Sequence, residues 1–410
     1  MRSRHPALLL FLLLACLLLT AGPFAGAADW TRFRGPNGTG VAADKNVPVQ
    51  WTEQNILWKV VLPGGGHSSP IVHGDKVFLQ SADAKSRMLL CLDAKDGKLL
   101  WNKSVPGGTA KTHAKSSLAS STPATDGERV YCYFWDGKDV SLSAYDFKGN
   151  PVWHRVLGEF TSQHGAGASP MVVDGKVIVN NDQDGKSELI ALDAKTGKPA
   201  WQVPRPPFRA CYSTPFLLEK SGNTELIVVS TAGVTSYNPK TGGQNWHWEW
   251  KFDGMALRTV GSAVAEGGII FAGSGDGSGA RHMVAVHDNG KGLVWEEKKT
   301  MPYVPCMLTL GDHLYYVNDR GIAGCIAART GKEIWSQRLP GTGVFASPIM
   351  VDGKIYACSE DGSVTVYEAA PVFKQLAKNS LPEPILASPA VANDKLYIRG
   401  KTTLYCIGKK

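Results

Sequence analysis

The chain has 410 residues, 43% hydrophobic and 20% charged, which is the balance of a globular protein and excludes a disordered one. Its formal charge of +8 is scattered among acidic residues with no block of five or six like charges, so no nucleic-acid footprint is present. Eight cysteines include no CxxC or CxxCH and no adjacent pair, which removes support for a zinc site or covalent haem.

The first 27 residues read as a secretory signal peptide. "MRSRHP" is a basic n-region, "ALLLFLLLACLLLTAG" an apolar h-region, and Ala25-Gly26-Ala27 a small-residue cleavage site. A second reading is a lipoprotein signal, because Leu13-Leu14-Ala15-Cys16 has lipobox spacing; the apolar start "CLLLT" it would leave favours cleavage near Ala27. Either way the chain is expected to be exported, to the periplasm or beyond the cell. No later apolar run approaches the roughly 20 residues of a membrane span. Cleavage at Ala27 leaves 42 Lys and Arg against 36 Asp and Glu. Residues 28–54 then form an N-terminal extension. In it "RFRGPNGTG" carries a turn signal at Pro36-Asn37-Gly38, and Trp30 and Phe33 are expected to pin the segment to the surface of the domain that follows.

From residue 55 onward two phrases recur. "HSSPIVHGDKVFL" (67–79), "SSTPATDGERVYC" (120–132), "GASPMVVDGKVIV" (167–179) and "FASPIMVDGKIYA" (345–357) share Ser/Thr-Pro, an apolar run, a tight turn and a second apolar run. Four weaker copies place the Pro-equivalent positions at 70, 123, 170, 215, 263, 307, 348 and 389. Eight units of about 45 residues result. The second phrase, "LIALDAKTGKPAW" (189–201), ends on Trp and has relatives at 89–101, 234–246 and 324–335. Each unit therefore reads as four short strands, with Gly197 supplying the positive φ of a turn plus bulge between the third and fourth. Four strands per 40 to 50 residues is the pattern of a propeller blade.

The fourth-strand aromatics are Trp58, Trp101, Trp153, Trp201, Trp246, Trp295, Trp335 and, least clearly, Phe373. Their register is offset by one unit, because the last unit ends at "TTLYCIGKK" without a fourth strand. An all-β, eight-bladed propeller over 55–410 is expected, closed by "NILWKVV" (55–61) as the outer strand of the last blade. Each Trp is expected to wedge against the neighbouring blade. Cys91, Cys325 and Cys406 share one repeat position with Ala144, Ala191, Ser236, Ala285 and Val366, so these thiols read as small core residues.

With these phrases in view, the chain from about residue 55 to its end resembles the PQQ-like, quinoprotein-type repeat propellers. Members of that superfamily include periplasmic quinoprotein dehydrogenases and BamB-like outer-membrane assembly proteins; "DWTRFRGPNGTGV" (29–41) with "LPGGGHSSP" is also similar to secreted bacterial PQQ-like repeat proteins. The dehydrogenase side of the resemblance implies PQQ, a Ca²⁺ ion, a catalytic Asp and a disulfide between adjacent cysteines. This chain has no adjacent cysteines, and no motif places the Asp or the Ca²⁺ ligands, so no cofactor is expected, with PQQ kept as the alternative.

Other motifs fail on context. "NNDQDGKSE" (180–188) imitates half a calcium loop, but Ala191 stands where the bidentate Glu is needed, so a turn is expected. "GDGSGA" (275–280) lies between β runs with no helix to follow, which excludes a dinucleotide site. Trp246, Trp248 and Trp250 of "WHWEW" could stack on sugars, but packing is the better reading. The candidate site lies instead in the connections leading into each Ser/Thr-Pro, which a ring gathers around one mouth. They contribute His67, His113, Lys115, His164, Arg209, Tyr212 and Arg258 from the first five connections, and Tyr303, Phe345 and Ile385 from the last three. A funnel with a basic half and an apolar half is expected. It suits an anionic small molecule or glycan, with loop hydrogen bonding or a three-histidine metal site as other readings of the same residues. The functional expectation is a non-catalytic binding or scaffold propeller whose partners are envelope or outer-membrane proteins. Its alternatives are a PQQ-dependent or other small-molecule oxidoreductase and a carbohydrate-binding propeller.

Overall fold

The computed structural model describes residues 29–206, 209–220, 222–299 and 301–409; the segment expected to be a signal peptide, with Cys16 and the Ala27 boundary, lies outside them. Eight antiparallel sheets form an eight-bladed propeller. Blade 1 comprises Ile71–His73, Lys76–Ala82, Ser86–Asp93 and Leu99–Pro106. Blades 2 to 6 follow over 124–159, 171–205, 216–249, 264–297 and 308–338. Blade 7 spans 349–380, and blade 8 joins Ala390–Ala392, Lys395–Arg399 and Thr403–Ile407 to Ile56–Val61 from the other end of the chain. The expected closure is therefore present, with Val60 opposite Leu404 and Trp58 opposite Cys406.

The repeated phrase has a physical explanation in the seams between blades. Each outer-strand Trp stands directly across from the small third-strand residue: Trp101 from Cys91, Trp201 from Ala191, Trp335 from Cys325. A larger side chain there would push the indole away. The indole instead leans onto the positive-φ glycine in the turn of the next blade. A Cβ on Gly197 would stand 2.5 Å from the Trp153 ring, and one on Gly331 2.7 Å from that of Trp295. The indole N–H then donates to a carbonyl of that neighbouring turn. Trp58 reaches Ala94 O at 3.1 Å, Trp101 Phe147 O at 3.0 Å and Trp295 Ala328 O at 2.8 Å. The seam thus needs a small residue, a Trp and a Gly together, which is why the phrase recurs as a unit. Two Trp depart from this: Trp246 turns its N–H to Glu225 Oε2 of its own blade at 2.9 Å, and Trp335 donates at 3.0 Å to Ala370 O of a turn that has no glycine.

Blade 7 departs from the expectation. Val366 is paired with Ala377, so Ala377 and not Phe373 holds the Trp register. Phe373 precedes the strand and packs edge-on against Trp335 at 5.2 Å. The reason lies one blade on: blade 8 takes its outer strand from the N-terminus and has no turn to receive an indole. Trp51 from the extension enters the apolar cluster containing Ala377, with its backbone N–H on Asn379 Oδ1 at 2.9 Å.

The extension is not a surface strap. Trp30 bridges Val72 of blade 1, Thr31 accepts from Thr125 of blade 2, and Asn37 pairs with Leu217 of blade 4. Arg34 donates to Met307 O beside blade 6, Val41–Ala42 runs parallel to the innermost strand of blade 7, and Asp44 accepts from Asp394 of blade 8. All of these partners lie on or beside innermost strands, so the segment fills the end of the central channel nearest the Asp-Gly turns. Trp30 is accordingly 1% exposed, while Phe33 faces the channel space beyond.

If the glycine's close approach to Trp153 carries the seam, Gly197→Ala should cost about 1–3 kcal/mol more in urea unfolding than Gly175→Ala. Both glycines have positive φ, near 66° and 69°, but a Cβ on Gly175 meets nothing within 4 Å. Equal costs would show that backbone conformation alone fixes the repeat glycine.

Candidate functional site

Chain direction decides what surrounds the open end of the channel. The innermost strand of each blade starts at the Ser/Thr-Pro and runs away from it. The second strand returns, so the loop between second and third strands opens on the same face as the connections between blades. Both loop sets border a cavity of about 630 Å³, within the usual range for small-molecule sites. Its throat is a belt of the residues that precede each proline position. Ser69 N–H donates to Thr122 Oγ1 at 3.1 Å, Thr122 N–H to Ser169 Oγ at 3.0 Å, and Thr214 N–H to Ser262 Oγ at 2.9 Å. Cys306 replaces a hydroxyl in this belt, accepting from Ser262 N–H at 3.0 Å. Phe33 of the extension lines the cavity as well, so the channel is a cup with one open mouth.

All seven residues singled out from sequence border this cavity, from His67 to Arg258. His67 is held by its backbone N–H on Ala119 O and Ser117 Oγ, and burial together with the Arg399 charge pushes its imidazole down to about 4. His113 and His164 meet edge to face at 5.1 Å. Burial, then the charges of Arg258 and His113, hold His164 below the ordinary histidine range. Tyr212 hydrogen-bonds Ser162 at 2.9 Å, and burial raises its phenol to about 12.

The cations are not the free basic half that was expected. Arg258, 3% exposed, pairs with Asp184 at 3.2 Å; Lys115 pairs with Glu360 of blade 7 and lies 4.7 Å over the Phe345 ring. Arg281, which the sequence reading missed, pairs with Asp319 at 3.7 Å and covers Tyr303 at 5.1 Å. Arg209 donates to Ala256 O at 2.7 Å and has no carboxylate partner among the described residues. The apolar half is also corrected. Tyr303 and Phe345 line the cavity, but Ile385 is fully buried in the core and Leu386 stands at the wall. Asp276, Arg281 and Asp319 make that side polar. Every missed acid sits in a loop between second and third strands, which strand alternation alone would have assigned to the mouth.

The remaining motifs resolve as local structure. Asp182 of "NNDQDGKSE" forms a buried two-point pair with Arg205 at 2.7 and 3.0 Å, and Asp184 accepts Ala210 N–H at 2.7 Å. Asp276 of "GDGSGA" caps its own turn through Ser278 N–H. Trp250 is buried and stacks on Phe252 at 5.5 Å, so the Trp row is packing. His67 does not join the His113–His164 pair, and among the described residues no three His, Cys, Asp or Glu side chains are grouped as a metal would need. The seven described cysteines are all free and buried.

The loop from 107 to 123 arches over this mouth. It meets His67 through Ser117, His164 through His113, Phe345 through Lys115, and blade 7 through Glu360.

A family model described as outer membrane protein assembly factor BamB matches residues 37–159, 114–329 and 307–371. A BamB from Shewanella oneidensis is 28% identical over 261 residues, covering 58% of this chain and 60% of that protein, less than two thirds of its length. A quinohemoprotein alcohol dehydrogenase from Pseudomonas putida is 27% identical over 144 residues, covering 34% of this chain and 20% of its own. Among solved structures, BamB from Moraxella catarrhalis superposes with a TM-score of 0.62 at 14% identity, covering 86% of this chain and 96% of that one. A europium-containing methanol dehydrogenase superposes at 0.72 with 11% identity, covering 93% and 98%. At such identities these two superpositions establish the fold alone.

Two outcomes test this geometry. Glu360→Gln should release the arch and speed amide exchange across 109–117 about two- to fivefold, the worth of a part-exposed pair; unchanged exchange would mean that the pair does not hold the loop. His67 binds a proton near 6.5 when unfolded but near 4 when folded. The unfolded state therefore binds more protons between these values, and stability falls as pH drops through that window. His67→Asn should lose less stability than the parent between pH 7 and 5, by on the order of 1 kcal/mol in urea titrations.

Proposed function

The chain belongs to the family described as outer membrane protein assembly factor BamB, and we propose that it is a non-catalytic binding propeller of the cell envelope. The observation that carries this reading is the extent of the family match, which runs from residue 37 to 371 and so covers the second half of the channel segment and most of the ring. In this reading residues 1–27 export the chain. The rigid cup then presents its rim loops to outer-membrane proteins or to the machinery that assembles them, as the description of its relatives suggests.

The state of the cavity acids supports binding over catalysis. Asp184 is taken by Arg258 and a backbone N–H, Asp319 by Arg281 and the N–H groups of Tyr303 and Val304, and Asp276 by its turn. Each thus already carries hydrogen bonds or an ion pair, which lowers its basicity and its availability to an oxygen cage for Ca²⁺. That commitment weighs against the calcium–quinone pair of the dehydrogenases, as does the lack of adjacent cysteines. The quinohemoprotein relative matches only about a third of the chain, consistent with shared blades rather than a shared site.

Affinity capture from detergent-solubilised envelopes tests the reading. Tagged protein should enrich integral outer-membrane proteins over a tag-only control. Recovery of no outer-membrane protein above that control would remove the assembly role.

A further inference from the structure

We propose that the cavity wall built by blades 3 to 6 binds the carboxylate of a small monoanionic organic acid, with Arg209 as its anchor. This does not depend on the envelope partner, since it concerns the inside of the cup and not its rim. Among Lys115, Arg209, Arg258 and Arg281, three are paired with Glu360, Asp184 and Asp319. Arg209 is fixed through Nη1 on Ala256 O, which leaves the rest of its donor fork for a planar acceptor. Neighbouring groups are donors too. His113 Nδ1 accepts Lys115 N–H at 3.1 Å, so the neutral ring carries its proton on Nε2. Tyr303 borders the cavity with its phenol kept protonated, raised to about 12 by burial. The charges of Arg258 and Arg209 both reach His164 and Tyr303, and Asp184, which Arg258 pairs, offsets part of them at His164.

The charge count sets the valence. Lys115, Arg209, Arg258, Arg281 and, behind His67, the buried Arg399 face four carboxylates, Asp184, Asp276, Asp319 and Glu360, which leaves an excess of one positive charge around the cup. One extra negative charge can be met by Arg209 and the adjacent imidazoles. A polyanion would set further charges against Asp276, which lines the same wall. Phe33, Val260, Val304 and Leu386 supply apolar surface for the body of the ligand.

Isothermal titration of the purified protein with benzoate, benzamide and benzene-1,3,5-tricarboxylate tests this. Benzoate should bind saturably with Kd below about 1 mM, benzamide at least about tenfold more weakly, and the tricarboxylate no more tightly than benzoate. Arg209→Gln should weaken benzoate at least about tenfold with an unchanged near-UV spectrum, and Arg209→Lys should weaken it less. Absence of saturable benzoate binding up to about 10 mM would overturn the proposal. So would equal affinity for benzamide, which needs no variant, or unchanged affinity in Arg209→Gln. A tricarboxylate bound more tightly than benzoate would overturn the single-charge limit.

Discussion

One contact organises this molecule: an indole laid on a positive-φ glycine of the next blade, with its N–H on that blade's turn carbonyl. It joins most outer edges to their neighbours, where a sheet of four short strands could not bury both faces alone. The contact also sets the composition of three repeat positions at once, since the Trp needs a small residue across the ladder and a Gly without a Cβ beneath its ring. Where the last blade borrows its outer strand from the N-terminus, the receiving turn disappears, and the Trp disappears from the blade before it. Ala377 and Trp51 are the two halves of that accommodation.

Closure of the ring by Ile56–Val61 has a second effect. It brings the preceding residues to the propeller, where Trp30 to Asp44 run along the innermost strands and fill one end of the channel. Arg32 and Arg34 are buried there against backbone carbonyls, without carboxylate partners among the described residues. What remains is a cup rather than a pore. Its rim loops surround the open mouth, and its interior, with cations and acids nearly balanced, suits recognition by a few placed groups.

Most of the fold was legible because the repeat is a packing rule written in nearly every blade. The count of blades, the closing strand and the small-residue position of Cys91, Cys325 and Cys406 all follow from spacing. The gathering of His67, His113, Lys115, His164, Arg209, Tyr212 and Arg258 at one cavity follows from ring topology. What spacing could not convey was pairing between distant blades. Lys115 and Glu360 lie 245 residues apart in sequence, and Arg281 meets Asp319 of the neighbouring blade, so the basic half looked unopposed. Phe373 was misread because an aromatic near the right place masked a real gap in the repeat. The channel-filling role of Phe33 had no repeat to announce it.

Whether the cup takes up a quinone is decided by titration with PQQ, with and without Ca²⁺, followed by Trp fluorescence. For a propeller that binds without quinone chemistry no saturable change is expected up to about 1 mM, weaker than about 4 kcal/mol of binding. Micromolar saturable binding that is lost in Arg209→Ala or Arg258→Ala would contradict that expectation and place the cavity among the quinone sites.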